Sequence, residues 1–287
     1  MSTFSPSATT TWKRCPVMWQ LSQLGIVRRD LGKRELAAAL GSAFAQAMYI
    51  YHRCRQVGAE PAGAPLDAAQ GWLLAQKEAW QVEGRRLGER DTPQYESLER
   101  RLDVLVTYAL SHDPLPPEWR VVAVEEPLGL EYGNARPDLV CQKPDDTLVV
   151  IDYKSTLTLG TRADERTRKL QMRLDDWRDS DQLFHYAWAV GARYETAVTH
   201  VGIVLAEVEP KPKSALHDFW VDPAQLEEWV ARQRSAWVTM ALHRREPGLM
   251  WRAATHADTF GRCEYYDFCY GPDATRDVEY TTRTRGL

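Results

Sequence analysis

Two stretches decide how this chain is read: ArgProAspLeuVal (136–140) and ValValIleAspTyrLysSer (149–155), joined through the polar turn LysProAspAsp (143–146). LeuVal before Cys141 and LeuValValIle (148–151) have the composition of buried strand cores, and the turn between them suits a hairpin. A strand sends alternate side chains to one face, so Asp152 and Lys154 project together while Tyr153 points away. Pairing of 136–142 beside that strand brings Asp138 to the same point. Charge at the edge of an apolar hairpin is costly unless it has a partner or a task. Two convergent carboxylates can hold a hard divalent cation, Mg²⁺ or Mn²⁺, through oxygen. A lysine beside them can orient a water or stabilise charge developing on a phosphate.

Asp138 with Asp152-x-Lys154 resembles the PD-(D/E)XK nuclease superfamily, and Pro137-Asp138 supplies the literal PD. Downstream, SerAspGlnLeuPheHisTyrAlaTrp (180–188) places Gln182 and Tyr186 four residues apart, on one face of a helix. That spacing is similar to the Gln-x-x-x-Tyr motif of the RecB-like branch. The resemblance implies a restriction-endonuclease-like α/β fold, a mixed central sheet flanked by helices, preceded by a helical N-terminal region. It implies that Asp138 and Asp152 hold the metal, with the Tyr153 backbone carbonyl as a further ligand. It further implies that Lys154 positions the water, while Gln182 and Tyr186 align the strand being cut.

TrpLysArgCysPro (12–16) resembles the N-terminal Cys-Pro of RecB-like nucleases that carry an iron–sulfur cluster, such as the CRISPR-adaptation and AddB-type enzymes. PheGlyArgCysGluTyrTyrAspPheCys (260–269) resembles their C-terminal motif, with Phe260 where one cysteine is expected. Cys15, Cys263 and Cys269 thus give three thiolates where a [4Fe–4S] cluster takes four. Three outcomes are open: an apolar pin in place of a lost cluster, a three-thiolate cluster completed by a ligand such as His256, or a Cys₃His zinc site. The expectation is loss. A second departure lies upstream, where GlySerAlaPheAla (41–45) keeps the glycine of a Gly-x-x-x-His helix motif but has Ala45 for the histidine. Gln46 and His52 on the same helix are the available substitutes.

Composition fits this picture. The 287 residues carry a net charge of −4, with 44% hydrophobic and 26% charged residues, which excludes a whole-surface nucleic-acid binder and a disordered chain. No apolar run reaches transmembrane length, the N-terminus lacks the order of a secretory signal, and the five cysteines form no disulfide framework. Cytoplasmic residence is expected. A local basic groove suffices for DNA, and Arg162, Arg166, Arg168, Lys169 and Arg173 concentrate between Lys154 and Gln182.

The periodicity predicts helices over 31–55, 66–82, 93–111, 175–191 and 223–245, and strands over 119–127, 135–142, 147–155, 196–208 and 216–221. The chain is expected to form one nuclease-like domain: a helical part (1–117), a sheet core (118–222) and a C-terminal helix with a cysteine-containing tail (223–287). The function implied by the resemblance is metal-dependent cleavage of DNA, first as an exonuclease at DNA ends in recombination, repair or phage replication, beside a helicase or recombinase. A nuclease-derived DNA-binding or scaffold subunit that no longer cuts is the alternative. An iron–sulfur or zinc module for redox or partner sensing is a third class.

Overall fold

The computed structural model describes residues 11–24, 26–28, 30–31, 33–87, 92–130, 134–156, 159, 162–178, 180–208 and 211–246, and three short strand segments at 257–258, 261–262 and 280–282. Five strands make the central sheet: β1 (Arg120–Val124), β2 (Leu139–Gln142), β3 (Leu148–Thr156), β4 (His200–Glu207) and β5 (Lys213–Trp220). Their spatial order is β5-β4-β3-β2-β1, antiparallel throughout except for the parallel pair β3–β4. A parallel neighbour requires a crossover. Two helices supply it, α5 (Ala163–Arg178) and α6 (Asp181–Tyr194).

One face of the sheet is covered by α2 (Lys33–Val57), α3 (Ala64–Val82) and α4 (Leu98–Ser111), which follow the short α1 (Pro16–Gln23). Leu36, Leu40 and Phe44 recur every turn of α2 and bury against Leu139, Ile151 and Tyr153. The other face packs Val140, Val150, Ile203 and Leu205 under Leu183, Tyr186, Ala187 and Val190 of α6. Beyond α6 lies α7 (Pro223–Arg245). The central strands leave no spare volume: a Cβ at Gly202 would stand 2.6 Å from Ile151 Cδ1. This is a restriction-endonuclease-like α/β arrangement.

The helix expected over 223–245 has those bounds, with Asp222 Oδ1 accepting from Ala224 N–H at 2.9 Å and Pro223 opening the first turn. Other boundaries differ for local reasons. The helix expected over 175–191 is two helices, because Ser180 is extended and its Oγ caps Leu183 N–H. The basic segment 161–173 belongs mostly to α5. The expected 93–111 helix divides into Thr92–Glu96 and α4. The strand expected over 119–127 ends at Val124, since Glu125 turns the chain with φ 45°. The one expected over 135–142 begins at Leu139, and Asn134–Ala135 pairs instead with Leu128–Gly129. Among the described residues, no helix is long and apolar enough to cross a membrane.

Candidate active site at the β2–β3 edge

The hairpin β2–β3 builds the site. Leu139 opposes Ile151, so the register carried one residue further sets Asp138 opposite Asp152. Asp138 Oδ2 accepts the Tyr153 backbone N–H at 2.7 Å, which locks the first carboxylate against the second strand. Lys154 Nζ lies 2.6 Å from Asp152 Oδ2 and donates to Gln182 Oε1 at 3.0 Å. Gln182 Nε2 donates to Asp152 Oδ1 and to the Tyr186 hydroxyl, both at 3.0 Å. Strand alternation thus brings Asp152 and Lys154 to the α6 side, and helical spacing brings Gln182 and Tyr186 to meet them. The five residues expected at the centre are brought together.

Tyr153 points the other way. Its ring packs among the α2 side chains and its hydroxyl lies 2.5 Å from His52 Nε2. Gly41 lets α2 approach this strand, since a Cβ there would be 3.2 Å from Ser155 Oγ. His52 is buried, and burial lowers its pKa to about 3, so it stands neutral. It meets the site through Tyr153 and through a narrow cavity it shares with Ala45, Met48, Tyr49, Glu125 and Asp138.

The electrostatics call for a cation. Asp152 is 1% exposed, and burial raises its pKa against the opposing pull of Lys154. Asp138 is raised by burial and then by the charge of Asp152, while the Tyr153 N–H and Lys154 offset only part. Asp152 Oδ2 has Lys154 as its close ionic partner. Two neighbouring acids whose ionisation burial opposes fit a hard divalent ion, which would let both ionise together. Asp138 and Asp152 are the residues that would hold it. Among the described residues, no three His, Cys, Asp or Glu side chains stand together closely enough to enclose a metal unaided. Burial also raises the Tyr186 phenol, reinforced by the two nearby acids, so its hydroxyl stays protonated.

The basic segment divides. Arg162, Arg168 and Arg173 are exposed. Arg166 is not free for a nucleic acid, because it pairs with Glu207, a buried acid at the end of β4 that also accepts Leu159 N–H at 2.8 Å. Lys169 pairs with Glu165 one turn earlier at 2.6 Å. An open groove lies along α5 between Ala163 and Asp175 and takes in none of the carboxylates of the site. Cys15 precedes α1 as a partly buried free thiol, whereas His256, Phe260, Cys263 and Cys269 lie outside the described residues.

Two further acids, Glu125 and Glu126, follow β1. Glu126 serves structure, accepting from Tyr194 Oη at 3.3 Å with Arg193 3.6 Å away. Glu125 donates its backbone N–H to the Asp138 carbonyl at 3.1 Å, past a bulge between Val121 and Ala123 that shifts the parity of β1.

A family model of the PD-(D/E)XK nuclease superfamily matches residues 3–270. Comparison with curated proteins gave no match.

Proposed function

This chain belongs to the PD-(D/E)XK nuclease superfamily, and on that basis we propose that it is a metal-dependent deoxyribonuclease of the RecB-like branch, digesting DNA from an end. The observation that carries this reading is the closed set of contacts among Asp152, Lys154 and Gln182, with Asp138 opposite. A Mg²⁺ or Mn²⁺ ion on the two carboxylates supplies Lewis-acid activation of water and offsets charge on the phosphate. The protein's own groups do the positioning. Tyr153 N–H fixes Asp138. Gln182 holds Lys154 and Asp152 at one separation, so the ammonium can donate to the attacking water or to a phosphate oxygen. Tyr186 Oη, kept protonated, anchors Gln182 and is available to the DNA strand.

The exposed Arg162, Arg168 and Arg173 are proposed to follow the DNA backbone. Work on DNA ends in recombination, repair or phage replication, in the cytoplasm and beside a helicase or recombinase, completes the proposal. We also infer that the chain does without an iron–sulfur cluster. Support comes from the packing of Trp12 and Trp19 against Trp237 and Met240 of α7, which ties the N-terminal segment to that helix through apolar side chains. Iron, zinc and acid-labile sulfide measured on protein purified without air test this point.

End-labelled single- and double-stranded DNA, incubated with Mg²⁺, Mn²⁺ or EDTA beside Lys154→Ala, tests the activity. Cleavage that needs metal and is lost in the variant is the expected result, and the product ladder gives end preference and polarity. Binding without cleavage in every metal favours the second reading, a non-cutting DNA-binding or scaffold subunit. The observation on its side is that Ala45 lines the cavity beside Asp138 with no ligating atom.

A further inference from the structure

The first turn of α6 carries Gln182, and the cap of that helix holds it loosely. Ser180 Oγ takes the Leu183 N–H at 3.4 Å and the Ser180 carbonyl takes the Phe184 N–H at the same length, both long for hydrogen bonds. Asp181 supplies what the cap lacks. Its Oδ1 accepts from Trp229 Nε1 at 2.7 Å and from Gln233 Nε2 at 3.0 Å, and its Oδ2 from Lys13 Nζ at 2.8 Å. Trp229 and Gln233 lie four apart on one side of α7 and are 4% and 2% exposed, so packing fixes both donors. Lys13 comes from the N-terminal segment. One carboxylate thus fastens the start of α6 to two other parts of the chain.

The next residue turns the same backbone towards the sheet. Successive helical residues project about 100° apart, so Asp181 reaches α7 while Gln182 reaches β3. Gln182 receives Lys154 Nζ on Oε1 and donates from Nε2 to Asp152 Oδ1, both at 3.0 Å. A shift of the first turn by about 1 Å takes both contacts out of the usual range of about 2.7–3.2 Å. Misplacement of that size can slow a reaction about 100-fold. Stability alone accounts poorly for the Lys13 limb, since an ion pair between side chains 38% and 25% exposed contributes little to folding.

We infer that Asp181 is a positioning residue for the cleavage site. By gathering the Trp229 and Gln233 donors of α7 and the Lys13 ammonium, it sets the place of Gln182, and through Gln182 the separation of Lys154 from Asp152. Its effect on rate rests on the nuclease reading above, whereas its hold on the Gln182 side chain does not.

A double-mutant cycle on cleavage of end-labelled DNA, run with the full chain at a temperature where every variant is folded, is the test. Asp181→Ala is expected to lower kcat about 100-fold while KM for DNA stays near wild type. In a Gln182→Ala background the same substitution should change the rate by less than about 2-fold, because the residue it acts through is gone. Asp181→Asn keeps an oxygen for Trp229 and Gln233 and should restore most of the rate. Trp229→Phe combined with Gln233→Met removes the α7 donors from the other side with little change of volume, and should lower kcat in the same way if Asp181→Ala fails to fold. Wild-type kcat in these variants, or equal losses in both backgrounds, overturns the inference and leaves the nuclease reading standing. The Gln182 side-chain amide, followed by ¹⁵N NMR and assigned by its loss in Gln182→Ala, reads the placement without cleavage. Its signal should shift and lose protection from exchange in Asp181→Ala, and an unmoved signal overturns the inference whether or not the protein cuts DNA. A displaced signal in a protein whose wild type never cleaves removes the nuclease reading alone.

Discussion

Gln182 and Tyr186, on one side of α6, reach into a pocket of buried charge, whereas His185 and Trp188, round the same helix, stand in an apolar stack of rings. The ring of His185 meets Trp188, Trp229 and Trp237 edge-on at centroid distances of 5.8–5.9 Å. Two ring nitrogens at the margins of the stack have partners, Trp12 Nε1 donating to His243 Nδ1 at 3.0 Å and Trp229 Nε1 to Asp181 Oδ1 at 2.7 Å, while His185 Nε2 within it has no hydrogen-bond partner among the described residues. Asp181 also binds Lys13 at 2.8 Å, so the first residue of α6 joins the N-terminal segment to α7. The charged side buries Asp152 at 1% exposure, with Lys154 and Gln182 as its partners. The difference teaches that α6 takes stability from one face and gives it up on the other. Edge-on aromatic packing stabilises beyond area alone, while buried like charges oppose folding until something neutralises them.

The largest expected effect breaks the charged side alone. Asp152→Ala or Lys154→Ala should lower cleavage on the order of 10³-fold or more, as removal of a group that meets developing charge does. Without metal, Asp152→Asn should melt higher than wild type, because the amide avoids the cost of a buried charge. A lower melting temperature for Asp152→Asn would mean that the site stabilises the fold after all. Trp237→Ala tests the opposite face. It removes the 1%-exposed ring at the centre of the stack and should cost about 3–5 kcal/mol in denaturant unfolding. Mn²⁺ affinity of the folded fraction should not change. Loss of both together would show that the two faces of α6 are coupled.

The charged side was legible in the sequence and the aromatic side largely was not, for a physical reason. Asp152 and Lys154 lie two apart and Gln182 and Tyr186 four apart, the periods of the strand and helix that carry them, and the short hairpin brings Asp138 opposite Asp152. The stack draws on Trp12 and Trp19 of the N-terminal segment, His185 and Trp188 of α6, and Trp229 and Trp237 of α7, and helical spacing aligns rings within a helix but not between these three segments. The structural role of Arg166 was hidden by its long-range partner Glu207. The β2–β3 hairpin followed from apolar runs and the turn between them, but the start of α6 depends on a single extended capping serine, Ser180.

His185 sharpens the comparison through pH. Burial among the tryptophans lowers its pKa to about 4, although the Asp181 carboxylate pulls the other way. The unfolded imidazole, with an ordinary pKa of about 6.5, binds a proton that the folded one refuses between pH 6.5 and 4. Its contribution is therefore complete above about pH 6.5 and is lost as pH falls towards 4, by about 3 kcal/mol at most. His52 has the same sign, and the metal-free Asp138 and Asp152, being raised, have the opposite one. The difference between wild type and His185→Phe isolates the one group. Unfolding free energies measured from pH 8 to 4 should converge towards the variant's flatter profile at high pH and separate on acidification. Parallel profiles would place a protonated His185 in the folded stack.

The smallest effects concern α5, where the same contrast recurs within one helix. Arg166 serves the fold, since it neutralises Glu207 at the end of β4, whereas Arg162, Arg168 and Arg173 are exposed. If the exposed three follow a DNA backbone, each one that touches a phosphate contributes chiefly counterion release. Alanine at Arg168 or Arg173 should then reduce the slope of log affinity against log salt by about 0.7–0.9 and leave melting unchanged. Arg166→Ala should behave inversely, lowering the melting temperature because Glu207 keeps only the Leu159 N–H, and leaving the salt slope intact. Fluorescence anisotropy with labelled DNA in Ca²⁺, from 50 to about 200 mM salt, separates the two patterns. An unchanged slope in both Arg168→Ala and Arg173→Ala would remove α5 from the DNA path and leave the binding surface to be sought on the opposite side of the two carboxylates.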